Sequence, residues 1–396
     1  MLRTQCVRNV PVLTTEIAAV VSHGGFPQYY DQVQFDGTLS DRSLSLLKPA
    51  FETIRKGQPW SGVGAPIQYA MILWSKQTSM FGSSLHGSGM LGSFLAMQEA
   101  HIPVGVIAER DVEAGEYGGA KVIIVASAEC LSDKCIAGLD DFVKKGGGLV
   151  VTDKSSMRNE FGQSRENFGL KEVLGLDFKG MTEFIYSYYI NDKKHPLTDK
   201  NLWLGFANTV HDNFQAHVSA NSEVEVLGEI MDEVPGFKID MMPYKRTGWP
   251  SLIIRNYGKG RVVYHTAPLC SMYQRFSHLD QRNLIENAVR WAGLVPVPIE
   301  IQAPETVEVI PWRDKQNKRT IIHIVNRTGA GLAQGPGALQ HETIPVHDIQ
   351  IKVSPELAGK TVLAQPGNRK LKTSTEGNFQ VINLDKVENW EIIEIV

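Results

Sequence analysis

From residue 69 onward, apolar positions come in short dense runs separated by longer amphipathic stretches. YAMILWS (69–75), VGVIAE (104–109), KVIIVAS (121–127) and GLVVTD (148–153) have strand length and are apolar at consecutive positions. Each predicts a strand buried on both faces. GMLGSFLAMQEAHI (89–102) predicts a helix, and so does LSDKCIAGLDDFVKKGGG after the third strand. In the latter, Ser132 stands where an N-cap belongs, Ile136, Leu139 and Phe142 share a face, and Lys144, Lys145 and the glycines close the end. Alternating buried strands and helices imply a parallel sheet with helices on both sides.

Residues 155–245 are less regular, with a helix-like NFGLKEVLGL and an aromatic FIYSYYI. PSLIIRNYGKGRVVYHTA (250–267) predicts a hairpin turning across Tyr257-Gly258-Lys259-Gly260. HLDQRNLIENAVRWAGL (278–294) predicts an amphipathic helix with Leu279, Leu284, Ile285, Ala288, Val289 and Ala292 on one face. At VPVPIEIQAPETVEV helical periodicity stops, and TVEVIPW, RTIIHIVN, HDIQIKV, TVLAQ, FQVINL and WEIIEIV follow as short strands between Gly, Pro and Asn turns. That pattern predicts a β-sandwich. At the other end, residues 1–65 hold one clear helix, about 41–57, whose stripe of Leu44, Leu47, Ala50, Phe51 and Ile54 needs a partner surface, expected on the α/β domain. The segments are therefore 1–65, an α/β domain over 66–295, and an all-β sandwich over 296–396.

Composition narrows the function classes. Hydrophobic residues are 42% and charged residues 21% of the 396, ordinary globular usage that supports large cores. A net charge of −3, with no run of Lys or Arg, argues against nucleic acid as a partner. Four cysteines are too few for a disulfide framework, and Cys130 and Cys135 have no second pair at zinc spacing, so no metal is expected. No apolar run reaches membrane-spanning length, and Glu16 interrupts the only signal-like stretch, so a cytoplasmic home is the expectation.

KVIIVASAECLSDKCIAGLDDFVKKGGGLVVTDKSS, ENFGLKEVLGLDF, IIRNYGKGRVVYHTAPL, RTIIHIVNRTG and IPVHDIQIKV, in that order, resemble the later domains of multidomain bacterial glycoside hydrolases of the trimeric β-galactosidase group. SHGGFPQYYDQVQFDGTLSD is similar to the last loop of the TIM barrel in such proteins. The resemblance implies a flavodoxin-like (class I amidotransferase-like) parallel-sheet domain that trimerises, followed by the sandwich, with the catalytic barrel almost wholly absent. Glycosidases of this group need two carboxylates from separate barrel strands. One surviving loop does not supply them, so no catalytic residue is expected.

Three groups of residues carry possible chemistry. His23, Tyr29, Tyr30 and Asp31, with Asp36 nearby, are candidates for a sugar-contacting edge that stacks rings and binds hydroxyls, against plain packing and turn formation. Gly87, Gly89 and Gly92 spell G-x-G-x-x-G before a helix, with Glu109 at a strand end where a ribose-binding acid would stand; the alternative is small-residue helix packing. Asp153-Lys154-Ser155-Ser156 occupies the position of the amidotransferase nucleophile elbow, without its cysteine or flanking glycines. Three functions follow: a non-catalytic assembly region with no cofactor and a homo-oligomeric, trimeric state; a glycosidase whose barrel is missing from this chain or supplied by a partner; or a small-molecule or nucleotide-binding α/β domain using Gly87–Gly92.

Overall fold

The computed structural model describes residues 9–30, 33–202, 204–210, 213–233, 243, 245–328 and 343–396. Its helices, in chain order, are α1 (Val10–Ser22), α2 (Asp41–Gly57), α3 (Lys76–Phe81), α4 (Leu85–Glu99), α5 (Glu109–Glu113), α6 (Asp133–Lys144), α7 (Lys171–Leu174), α8 (Leu269–Phe276) and α9 (Leu279–Ala292). No helix among the described residues is long and apolar enough to cross a membrane. The chain forms two compact units. One comprises Gln68–Ala100 and Val104–Val297; the other runs to Ile67 and takes up His101–Pro103 and Pro298–Val396.

In the first unit a seven-stranded sheet has the order Glu225–Val226, Leu252–Tyr257, Gly260–His265, Gly148–Thr152, Val122–Ala126, Ala70–Trp74, Val104–Ala108. The last five are mutually parallel. Every residue of Val122–Ala126 and Gly148–Thr152 is buried, as their unbroken apolar runs require. Leu252–Tyr257 joins antiparallel to Gly260–His265 through the expected turn, in which Gly258 adopts φ +59°. Ser132 caps α6 by accepting from the Cys135 amide at 3.0 Å, and Leu139 and Phe142 face the core. In α9, Leu284, Ile285, Ala288, Val289 and Ala292 are buried, but Leu279, placed on the same face by periodicity, is exposed at the helix start.

The irregular stretch organises as two antiparallel sheets that no alternation in the sequence announced. One orders Arg246–Pro250, Gly228–Met231, Ser187–Asn191 and Ala207–Val210; the other pairs Leu176–Met181 with Ala216–Ala220.

The second unit holds two antiparallel sheets around one apolar core. Val307, Ile322, Ile324 and Ile393 of a six-stranded sheet meet Ile349, Ile351, Ile382 and Leu384 of a four-stranded one. The six-stranded sheet has a second apolar face, formed by Ile310, Trp312, Ile321, Val325 and Ile392, which α1 and α2 cover with Leu13, Ile17, Ala18, Val21, Leu47, Ala50 and Ile54. This corrects two expectations. The α2 stripe finds its partner on this sheet and not on the α/β domain, and the N-terminal segment holds a second helix, α1. Leu44 and Phe51 stay exposed because the stripe in contact is narrower than the apolar spacing suggested.

Candidate functional site

Open parallel sheets bind ligands outside the carboxyl ends of their strands, where the strand order reverses. That point falls between Ala70–Trp74 and Val122–Ala126, which are neighbours although Val104–Ala108 lies between them in sequence. A buried polar network crosses it. His86 of α4 accepts from the Ser75 amide through Nε2 at 3.0 Å and donates from Nδ1 to the Ala126 carbonyl at 2.9 Å. Burial lowers its pKa, consistent with this neutral tautomer. The Ser75 hydroxyl caps α3 by accepting from the Thr78 amide at 2.9 Å and donates to the Cys130 carbonyl at 2.9 Å. Thr78 Oγ1 accepts from the Cys130 amide at 2.9 Å. Three loops are thereby tied together. Glu109 is buried beside them; burial pushes its carboxyl up to about 7, against the lowering influence of the Ser75 hydroxyl and the Gln77 and Lys76 amides.

Glu109 thus stands with the α3 start, not free to hold a ribose. Gly87, Gly89 and Gly92 are helical and not loop residues: Gly87 lies in the first turn of α4, and Gly89 and Gly92 lie further inside it. A phosphate loop needs free backbone amides, and the helix spends those of Gly89 and Gly92. What Gly89 and Gly92 provide is proximity. A Cβ on Gly89 would meet the Ala126 Cβ at 3.1 Å, and one on Gly92 would lie 1.8 Å from the Cys270 carbonyl oxygen of α8.

The elbow position is also spoken for. Asp153 and Ser156 adopt left-handed φ of +58° and +68°, and Ser127, at the end of the neighbouring strand, +47°. Such strain gathers at special sites, and no sequence rule located it. Yet the Ser155 hydroxyl accepts from the Ala128 amide at 3.0 Å and donates to the Thr152 carbonyl at 2.8 Å, while Ser156 Oγ accepts from the Leu170 amide at 3.1 Å. Lys154 lies 3.1 Å from the buried Glu129 carboxylate, which also faces Arg158 at 3.6 Å. Asp153 is fully buried, and that burial pushes it up to about 6. His265 is buried as well, held near 4 by burial, and accepts from the Ala267 amide through Nδ1 at 3.1 Å. These side chains hold the loops in place.

The described sugar-edge residues have different surroundings. His23 caps α1, where the Trp312 indole donates to the Ser22 carbonyl at 2.8 Å and Gly24 turns at φ +80° against the same indole. Tyr29 and Tyr30 are 40% and 85% exposed, and Tyr30 donates to Gln28 at 2.8 Å. Asp36 accepts from the Thr38 hydroxyl and amide at 2.7 and 3.0 Å, which lowers its pKa. Asp31 lies outside the described residues.

The fold that emerges is mixed α/β, with a parallel-containing sheet and several antiparallel ones, and it is the fold of a region within multidomain glycoside hydrolases. No family model and no curated protein matches the chain. Solved structures do. α-L-Fucosidase isoenzyme 2 from Paenibacillus thiaminolyticus matches 98% of this chain at a TM-score of 0.80 and 14% identity. A catalytic mutant of a GH42 β-galactosidase from G. stearothermophilus matches 98% at 0.66 and 15%. The β-galactosidase from Bacillus circulans sp. alkalophilus matches 97% at 0.65 and 14%. The chain spans 57%, 51% and 52% of those three chains.

Proposed function

We propose that this chain is a non-catalytic assembly and interaction region of a β-galactosidase-like glycoside hydrolase. The observation that carries the reading is the likeness over 98% of the chain to a glycosidase chain nearly twice as long. The fate of the candidate residues supports it: Gly89 and Gly92 bring α4 against Ala126 and Cys270, Ser155 and Ser156 tie down loops, and Glu109 sits against the α3 start. Numbered by position in the chain, the five parallel strands stand in the order second, first, third, fourth, fifth. That order supports a flavodoxin-like, class I amidotransferase-like domain over 66–295. Residues 1–65 then correspond to the closing loop and helix of a barrel, and 296–396 to the sandwich.

In this reading the α/β domain makes a homotrimer. Its exposed Trp74, Met80, Phe81, Val106 and Phe161 supply apolar surface of the kind that association buries. Light scattering on the purified chain at about micromolar concentration should return three protomer masses. A clean monomer there would defeat the assembly reading.

A further inference from the structure

The α/β unit carries a cleft of about 840 Å³ that lies apart from the strand ends just described. One wall is the strap 194–201 with Leu204, between Ser187–Asn191 and Ala207–Val210; the other is the last turn of α9, with Arg290 and Trp291. The strap is held from the same helix. Asn287 donates to the Leu197 and Asp199 carbonyls at 3.1 and 2.7 Å, Asn283 donates to the Lys200 carbonyl at 3.0 Å, and Asp280 accepts from the Leu202 amide at 2.9 Å. Positions 280, 283 and 287 lie one turn apart, so a single helix face fixes the backbone opposite. Lys200 is held there at a left-handed φ of +61°, a conformation that costs a non-glycine residue energy and recurs at ligand sites.

The charge of the lining is uneven. Lys194, Lys200 and Arg290 face one acid, Asp199, among the described lining residues. Arg290 is partly compensated by Glu286, at 2.8 Å. Neither lysine has an ion-pair partner among the described residues, and both are exposed. His195 accepts from the Leu197 amide through Nδ1 at 3.1 Å, leaving Nε2 to carry the proton of the neutral ring, and burial lowers its pKa in keeping with that form. The imidazole stands edge-on to Trp291 at 5.7 Å between centroids. Arg261 fixes the indole, stacking 4.7 Å from its centroid and donating to the Trp291 carbonyl at 2.9 Å. Asn201 has its Oδ1 buried with no protein partner.

We propose that this cleft binds an anionic sugar: a pyranose carrying a phosphate or carboxylate, its anion between Lys194 and Lys200, its ring beside Trp291, its hydroxyls toward Asn201 and Asp199. Two uncompensated ammonium groups favour an anion. An aromatic wall with a few convergent polar groups favours a small ring bearing hydroxyls over a bare ion. The inference goes beyond the assembly reading and stands independently of it, since oligomeric state and cleft occupancy are measured separately.

Calorimetric titration of the full chain with glucose 6-phosphate, glucuronate, glucose and inorganic phosphate tests it. At least one of the two anionic sugars should bind about tenfold or more tightly than glucose and than inorganic phosphate. The double variant Lys194→Ala, Lys200→Ala, which alters only exposed side chains, should weaken that binding by about tenfold or more with its melting temperature unchanged. The identity of the anionic sugar that binds distinguishes phosphate from carboxylate. Three results would each overturn the proposal: no heat from either anionic sugar up to about 10 mM, inorganic phosphate binding as tightly as the sugar phosphate, or the double variant binding like the parent.

Discussion

Gly92 and Gly87 are both in α4, five residues apart, yet they have opposite surroundings. A Cβ at 92 would drive into the Cys270 carbonyl at 1.8 Å, while one at 87 meets nothing within 4 Å. Gly92→Ala should therefore cost roughly 1–3 kcal/mol through forced separation of α4 and α8. Gly87→Ala should stabilise by about 0.5–1 kcal/mol, because alanine has less backbone freedom to lose in a helix. Urea unfolding of the two variants decides it, and equal shifts would refute the close-packing role. Glu109 gives a pH test. Its carboxyl rises from an ordinary 4.5 to about 7 in the folded chain, so ionising it there opposes folding. That cost is absent below pH 4.5, grows as pH climbs to about 7, and is level above. His265 and His323, each held near 4 by burial against an ordinary 6.5, destabilise the fold as pH falls between those values. The parent's own curve mixes both signs. The difference between Glu109→Gln and the parent isolates the carboxyl: it should move in favour of the variant as pH rises from 4.5 to 7. A flat difference would place Glu109 in water.

At the scale of elements, α1 shows what sequence reading loses. VPVLTTEIAAVVS is rich in β-branched residues, which lower helix propensity, and Glu16 interrupts its apolar run. The start signals were there, since Asn9 caps the helix by accepting from the Val12 amide at 3.1 Å and Pro11 stands in its first turn. Packing on the six-stranded sheet and on α2 settles the helix, because a lone helix of this length is marginal in water. Hydrogen exchange should then grade the chain in three steps. Amides in 26–30 and 33–39, which make few backbone hydrogen bonds among the described residues, should exchange fastest. Those of α1 and α2 should follow, and the strands Val122–Ala126 and Gly148–Thr152, buried at every position, should be slowest. Protection of 26–30 and 33–39 equal to that of the strands would mean that these residues are integrated elements.

For the whole molecule, the question is whether it carries out chemistry unaided. At the strand ends of the α/β unit, Ser75, His86 and Ser155 spend their polar atoms on neighbouring backbone. Those groups are therefore not poised as nucleophile, acid or base. The purified chain should leave aryl β-galactosides intact at the rate of buffer alone. Turnover that stays with the chain through stringent purification would favour the glycosidase alternative.

Much was legible in residue order alone. Runs such as VIIVA and GLVVT are apolar at every position, and only a strand covered on both faces can hide them. Ser132 and Lys144 mark the ends of α6 and Gly258 marks the hairpin turn by local rules, because caps and turns are satisfied within a few residues. Tertiary structure decided what depends on contacts far apart in sequence. It turned the G-x-G-x-x-G into a packing surface by bringing Cys270 to Gly92, and it gave the α2 stripe a partner some 250 or more residues away at Ile310, Trp312 and Ile392. It also closed a basic cleft from a strap near Lys194 and a helix end near Trp291. Propensity and periodicity are properties of neighbours along the chain, whereas a site is a property of neighbours in space.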